Sequence, residues 1–443
     1  GRVKAGKSTL LNALVGERLA PTDAGECTKI VTWYERAAQY RVEADMVDGT
    51  REALPFRRTE GALHIDLGGH DAASVSELHV GWPTSTLGVL TLIDTPGLAS
   101  LNDENSARTH EFLADRSEGP SDADAVIFLM RHVHRVDLAF LDAFMDRSVT
   151  GASPVHAVAV LSRSDEIGAC RLDAMESSAR IAERYRNDPE VRALCATVVP
   201  IAGLIAETGL TLREDEAAAL RRLAATDPAD LDLMLLSADQ LCDVSVSDLT
   251  VEVRRGLLDR LGMFGVRFAI EAVRTGRAAS AAALSTLLVE QSGLPELRRV
   301  IAEQFLPRAT SLKARSGLAA LRRLSAELAA VDPGLADRVA REAERIETGT
   351  ADFARLRAAH LVASRTVEVE DDAEDLQRLL LGETAAGALG LEADADADAI
   401  RSGALAAISR WRNRAGDPLA EPAAVEVYEA AARTCEGFFA RAG

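Results

Sequence analysis

The chain opens on Gly1-Arg2-Val3-Lys4-Ala5-Gly6-Lys7-Ser8, which satisfies G-x-x-x-x-G-K-[ST] at every fixed position. Few short patterns constrain a fold as tightly. The glycines let backbone N–H groups approach a polyphosphate, Lys7 brings a point charge to its β/γ oxygens, and the Ser8 hydroxyl suits Mg²⁺. Behind it, Ser8 to Gly16 is an apolar-periodic run ending at a glycine, as the helix after such a loop requires, with Thr9 in its first turn. A phosphate loop hangs from the end of a central β-strand, so a strand is expected upstream of residue 1.

Further nucleotide-binding parts follow in order. Asp94-Thr95-Pro96-Gly97 comes after Leu87–Ile93, a continuous apolar run of the kind a buried parallel strand needs. Asp94 there can hold Mg²⁺ through water, and the Gly97 amide can meet a γ-phosphate. Between the two motifs lies Gly25-Glu26-Cys27-Thr28. A lone loop threonine is ordinarily structural, but between these flanks Thr28 is expected to close over Mg²⁺ when the γ-phosphate is present. Base choice is read from Ser162-Arg163-Ser164-Asp165 after the strand Val155–Leu161. The Asp165 carboxylate can accept from two guanine N–H groups, and Arg163 can lie over the purine face. GTPases usually have Asn or Thr where Ser162 stands, so the lock on this loop is expected to be weaker. Val198 to Gly203 reads as the last strand, with Ala202 and Gly203 offering a backbone donor to guanine O6. Guanine is favoured over adenine.

These residues, with Ala20-Pro21-Thr22-Asp23-Ala24, Ile30-Val31-Thr32-Trp33, Ser164 to Ala169 and Gly262-Met263-Phe264-Gly265, resemble the dynamin-like GTPases of actinobacteria along nearly the whole chain. The resemblance implies a GTPase head on a helical stalk and turnover of GTP to GDP with Mg²⁺. It also implies self-association through the heads and membrane remodelling beneath the cell envelope. A cytoplasmic protein, peripheral at the inner face of the plasma membrane, is expected, with membrane lipid and a second dynamin-like protein as partners. The alternative is a GTP-regulated cytoplasmic scaffold or assembly factor without membrane activity. Asp137 occupies the place where dynamins make trans-stabilising contacts. Lys4 stands where guanylate-binding proteins carry an internal arginine finger and where animal dynamins have a polar residue assisting a monovalent cation. Either Lys4 replaces that cation or it points to solvent. Leu98 takes the position of the water-orienting Gln of small GTPases and can neither donate nor accept. Water must then be positioned by backbone groups or by something supplied on assembly.

At 443 residues two or three domains are expected, and 47% apolar content gives ample core. Low aromatic content (4%) with abundant Ala, Leu and Arg points to helix-rich architecture. A net charge of −19 argues against a nucleic-acid partner, which would need a concentrated basic stripe, and against loose adhesion to anionic lipid. Five dispersed cysteines lack zinc-ligand spacing and fit a reducing compartment. No apolar run approaches the ~18–20 residues of a membrane span.

Residues 1–210 carry the alternating strand and helix signals of an α/β GTPase core with a doubly wound, mostly parallel sheet whose first strand precedes residue 1. Strands are expected at Ile30–Glu35, Tyr40–Val47, Ser76–Trp82, Leu87–Ile93, Ala125–Met130, Val155–Leu161 and Ala196–Ile201. Residues 211–291 read as a helical elaboration of the head and 292–443 as an all-α neck or stalk, where Leu321, Leu324 and Leu328 form a seam suited to a bundle. Three features take bland readings. The run Asp394 to Asp398 resembles a calcium loop but has Ala399 and Leu405 at two required positions, so it is read as an acidic helix start. His132 and His134 lack a third metal ligand. Met263-Phe264 reads as packing at a helix junction rather than a membrane-inserting tip.

Overall fold

The computed structural model describes residues 5–20, 30–59, 61–96, 123–131, 157–243, 248–306, 309–363, 367, 369, 372–382 and 384–442. Up to Ile201 the described residues are mostly strands, with one helix ahead of them and two before the last. Helix α1 (Lys7–Val15) precedes β1 (Val31–Arg36), β2 (Arg41–Met46), β3 (Arg51–Ala53), β4 (Phe56–Thr59), β5 (Ala62–Ile65), β6 (Val75–Trp82) and β7 (Leu92–Asp94). Then come β8 (Val126–Met130), β9 (Ala157–Ser162), α2 (Ala174–Arg186), α3 (Pro189–Leu194) and β10 (Val198–Ile201). Beyond it the described residues are helical: α4 (Gly203–Leu210), α5 (Glu214–Ala224), α6 (Pro228–Met234), α7 (Ala238–Asp243), α8 (Val251–Arg274), α9 (Ala281–Gln291) and α10 (Leu294–Gln304). The last seven are α11 (Ala309–Leu328), α12 (Pro333–Gly349), α13 (Ala351–Ala363), α14 (Ala373–Leu381), α15 (Ala385–Leu389), α16 (Ala397–Ala415) and α17 (Pro422–Arg441).

The sheet departs from the single mostly parallel one expected. A five-stranded sheet runs β3-β2-β6-β1-β7, in which only β1 and β6 are parallel. A separate parallel sheet runs β10-β9-β8. Its β9 is buried throughout, so its sequence is uniformly apolar up to Ser162. Between edge strands β7 and β8 lies a cavity of about 710 Å³, lined among others by Leu10, Leu14, Leu92, Ile127, Leu129 and Ile301. Within Leu87–Ile93 only the end is strand, and it is antiparallel to β1. Thr86–Gly88 instead forms a 3₁₀ turn, and Val89 and Leu90 spend their apolar surface on the cavity wall. Of this run only Leu87 is buried and Val89 is 62% exposed, so the apolar stretch marks neither full burial nor pairing.

The helical part also corrects one expectation. Leu321 and Leu324 are exposed, while Leu318 and Ser325 form the buried face of α11. Leu318 packs in a small cluster with Ala343 of α12 and Phe353 of α13. Phe264, by contrast, is fully buried in the core shared by α2 and helices α4 to α9, as the junction reading requires. Asp396 caps α16 by accepting from the Ala399 amide at 2.8 Å, so the acidic run is a helix start. No helix among the described residues is long and apolar enough to cross a membrane.

Helix α10 lies at the start of the region read as neck, yet it buries Leu294, Leu297, Val300 and Ile301 against Leu10, Ala13 and Leu14 of α1 and against Val158 and Val160 of β9. Arg298 also donates to the Ala13 and Leu14 carbonyls (3.1 and 3.3 Å), satisfying acceptors at the end of α1. Gly293, at φ 81°, sets the turn into α10, and a Cβ there would run into the Pro200 carbonyl oxygen of β10. Gly293→Ala is therefore expected to destabilise the protein by more than about 3 kcal/mol, left-handed strain adding to a backbone clash. Urea unfolding followed by circular dichroism measures this; a loss below about 1 kcal/mol would mean that the turn moves aside freely.

Candidate nucleotide-binding site

The site is built around the N-terminus of α1. Gly6 sits at φ 88°, a left-handed conformation that suits glycine, and lets the chain turn into the helix, whose first hydrogen bond runs from Leu10 N–H to Gly6 C=O at 2.9 Å. No side chain caps this end. The first-turn amides of a helix have no intrahelical acceptors and favour an anion. Lys7 is half-buried, and loss of hydration holds its ammonium below the usual lysine range, partly offset by Asp94.

Across 86 positions of sequence, the Ser8 hydroxyl donates to Asp94 Oδ2 at 2.8 Å. Burial pushes the Asp94 carboxyl up, opposed by the Ser8 hydrogen bond and by the Lys7 charge. A hydroxyl and a carboxylate held together beside a phosphate loop are the hard oxygen donors that suit Mg²⁺, the Ser8 oxygen directly and Asp94 through a bound water. Behind them Asn12, buried, holds the turn after α1. It accepts from the Leu19 and Ala20 amides (2.9 and 2.7 Å) and donates to the Ala20 carbonyl at 3.1 Å. The sequence reading passed over Asn12, whose signal was a polar residue on the buried side of an apolar helix.

At the other end, β9 delivers Asp165 into a 3₁₀ turn, Ser164–Glu166, where it is 5% exposed. Burial raises its carboxyl to about 6, Glu166 adding to the effect and Arg163 opposing it. Arg163 precedes it at φ 55° and pairs with Glu166 at 2.6 Å. The loop is tied at three points despite the missing Asn or Thr. Ser162 donates to the Met130 carbonyl (3.2 Å), Ser164 to the Leu161 carbonyl (2.8 Å), and Ser178 of α2 to the Ser164 carbonyl (3.0 Å). Gly262, at a kink in α8 with φ 66°, comes so close that a Cβ there would lie 3.5 Å from Asp165 Oδ2. Nothing in the spacing signalled that approach.

The Ala202 amide already donates to the Ser292 carbonyl at 2.9 Å. Of the two expected donors to the base, Gly203 is thus the one whose place at the start of α4 leaves its N–H without an intrahelical acceptor. Gly203 also lies against Thr9, whose Cγ2 would be 3.5 Å from a Cβ at 203. The phosphate-loop helix and the base-side helix therefore meet. Gly1, Arg2, Val3, Lys4, Thr28, Gly97, Leu98, His132, His134 and Asp137 lie outside the described residues. Ala5, buried, joins the core beneath α1.

A family model described as the Dynamin family matches residues 1–143. The isoniazid-induced protein IniC of Mycobacterium tuberculosis, from strains CDC 1551 / Oshkosh and H37Rv alike, is 38% identical over 454 residues, covering 99% of this chain and 89% of the relative. A bacterial dynamin-like protein of Nostoc punctiforme is 37% identical over 67 residues, 15% of this chain and 10% of that protein. Among solved structures, a chain of an oligomerised bacterial dynamin pair aligns over 100% of this chain and 68% of its own, at 12% identity and a TM-score of 0.30. At that distance it transfers nothing to this chain.

Proposed function

Because the chain belongs to the dynamin family, we propose that it is a GTPase that binds and hydrolyses GTP with Mg²⁺ and couples pairing of its heads to membrane remodelling at the cell envelope. The observation that carries the chemistry is the Ser8–Asp94 hydrogen bond, which brings the phosphate loop and the Asp-Thr-Pro-Gly strand end together. Mg²⁺ held by Ser8, Asp94 and Thr28 supplies counter-charge to the β/γ oxygens. Lys7 adds a second positive charge from a partly dehydrated position, where it acts more strongly than in water. Asp165 accepts from guanine, Arg163 lies over the base, and the Gly97 amide meets the γ-phosphate. Leu98 offers nothing to the attacking water, so backbone groups or a paired head orient it. Lys4 acts as the internal counter-charge in place of a monovalent cation, and Asp137 stabilises the paired heads.

Family membership supports the membrane part of this reading. Co-sedimentation with liposomes, with and without a non-hydrolysable GTP analogue, tests it. Nucleotide-dependent binding and tubulation are expected, and persistent solubility with hydrolysis intact would favour the scaffold reading. For the chemistry, Thr28→Ala is expected to keep GDP affinity within about twofold while removing most GTP turnover, because that hydroxyl acts only with γ-phosphate and Mg²⁺ present. Equal damage to both nucleotides by calorimetry would mark Thr28 as structural.

A further inference from the structure

On the polar face of the five-stranded sheet, away from the core built by Tyr34, Val42, Ala44, Leu78 and Val80, three strands bring together Glu35, Asp45, Glu77 and His79. Asp45 of β2 stands directly opposite Glu77 of β6, and like charges so placed repel. His79 Nε2 lies between them, 3.2 Å from Asp45 Oδ2 and 3.8 Å from Glu77 Oε2.

We propose that Asp45, Glu77 and His79 form a binding site for a divalent transition-metal ion, zinc(II) by the character of its donors. One imidazole nitrogen and two carboxylate oxygens are a set that zinc accepts, with bonds near 2.0–2.2 Å. A tetrahedron with those bonds has ligand-to-ligand edges of roughly 3.3–3.6 Å, and the observed 3.2 and 3.8 Å bracket that range. The surroundings of the histidine suit a cation. Its other nitrogen, Nδ1, lies 3.8 Å from Glu35 Oε1, beyond hydrogen-bond reach, so that carboxylate adds negative charge beside the ring. Trp33 lies nearly parallel to the ring, 13° off at 6.0 Å, and holds its plane. Arg51 donates to both oxygens of Asp45 (2.5 and 2.6 Å) and orients that carboxylate, leaving a second lone pair on each oxygen. His79 is 16% and Glu77 11% exposed, with Asp45 at 32% opening the site to solvent, and all three stand on strands. The ion would bind β2 to β6. None of these residues belongs to the nucleotide site.

Isothermal titration of the full chain with ZnCl₂, in saturating Mg²⁺ and GDP so that the nucleotide site is filled, is expected to show one stoichiometric site. His79→Ala and Glu77→Gln should abolish it, with unchanged circular dichroism in each. Co²⁺ at the same site should give d–d absorption with no thiolate charge-transfer band. Absence of a stoichiometric site in the wild type would overturn the proposal. So would equal zinc affinity in His79→Ala, or a cobalt spectrum dominated by thiolate.

Discussion

Asp165→Asn is expected to weaken GTP binding at least about tenfold and, in the same variant, to make the nucleotide-free protein harder to unfold. The first effect follows from the two guanine N–H groups that lose a charged acceptor, each worth about 1.5–3 kcal/mol. The second follows from burial. Asp165 has its carboxyl raised from 3.8 to about 6, so the folded protein holds that proton more tightly than the unfolded chain does. The resulting penalty is absent below the unfolded value, grows as pH rises through the interval, and is complete above about 6, reaching about 3 kcal/mol. Asparagine carries no charge to desolvate and escapes it. At pH 7.5 the variant should gain up to about 3 kcal/mol in urea unfolding, and the gain should vanish near pH 4. Wild-type GDP affinity should correspondingly fall below pH 6, since the base requires the ionised carboxylate. Xanthosine diphosphate should bind the variant better than the wild type, because the amide can donate to the extra carbonyl. Unchanged GTP affinity in the variant would remove Asp165 from the base site.

Lys7→Ala is expected to reduce GTP turnover at least about 10²–10³-fold, the scale for removing one preorganised donor from a developing oxyanion. Lys7 sits beside Asp94 with its ammonium partly stripped of water, so its charge is poorly screened where the phosphates are expected. Lys7→Arg should not restore the rate, because a planar fork does not replace a compact ammonium in a site sized for one. Single-turnover phosphate release measures both variants. A Lys7→Ala enzyme keeping more than about a tenth of the wild-type rate would fall well outside that scale and sink the assignment.

What could be read from the chain divides along a physical line. Lys7, Ser8 and Asp94 could be nominated because phosphate chemistry dictates both residue type and spacing, and the structure brings Ser8 onto Asp94. Asp165 was legible from its motif, but its burial was not, since that comes from Gly262 and the kinked α8 folding over it. The hairpin β4–β5 was missed because Phe56-Arg57-Arg58-Thr59 has little apolar alternation; only Gly61, at φ 80°, marked its turn. For Leu321 and Leu324, periodicity described a stripe without saying which side finds a partner. The cluster at His79 depends on the register of strands far apart in sequence, and no local pattern contains that.

One consequence follows from α10. This helix and the turn before it touch two elements of the candidate site, through Arg298 on the final carbonyls of α1 and through Ser292, whose carbonyl receives the Ala202 amide. If nucleotide binds there as proposed, a helix fastened to both elements is a lever with reciprocal action. Whatever preference bound nucleotide has for one seating of α10, that seating returns to the nucleotide as an equal factor in affinity. Torque applied to the helices beyond α10 would then be felt at the site as a change in grip, and exchange of nucleotide would be felt beyond it as a change in angle.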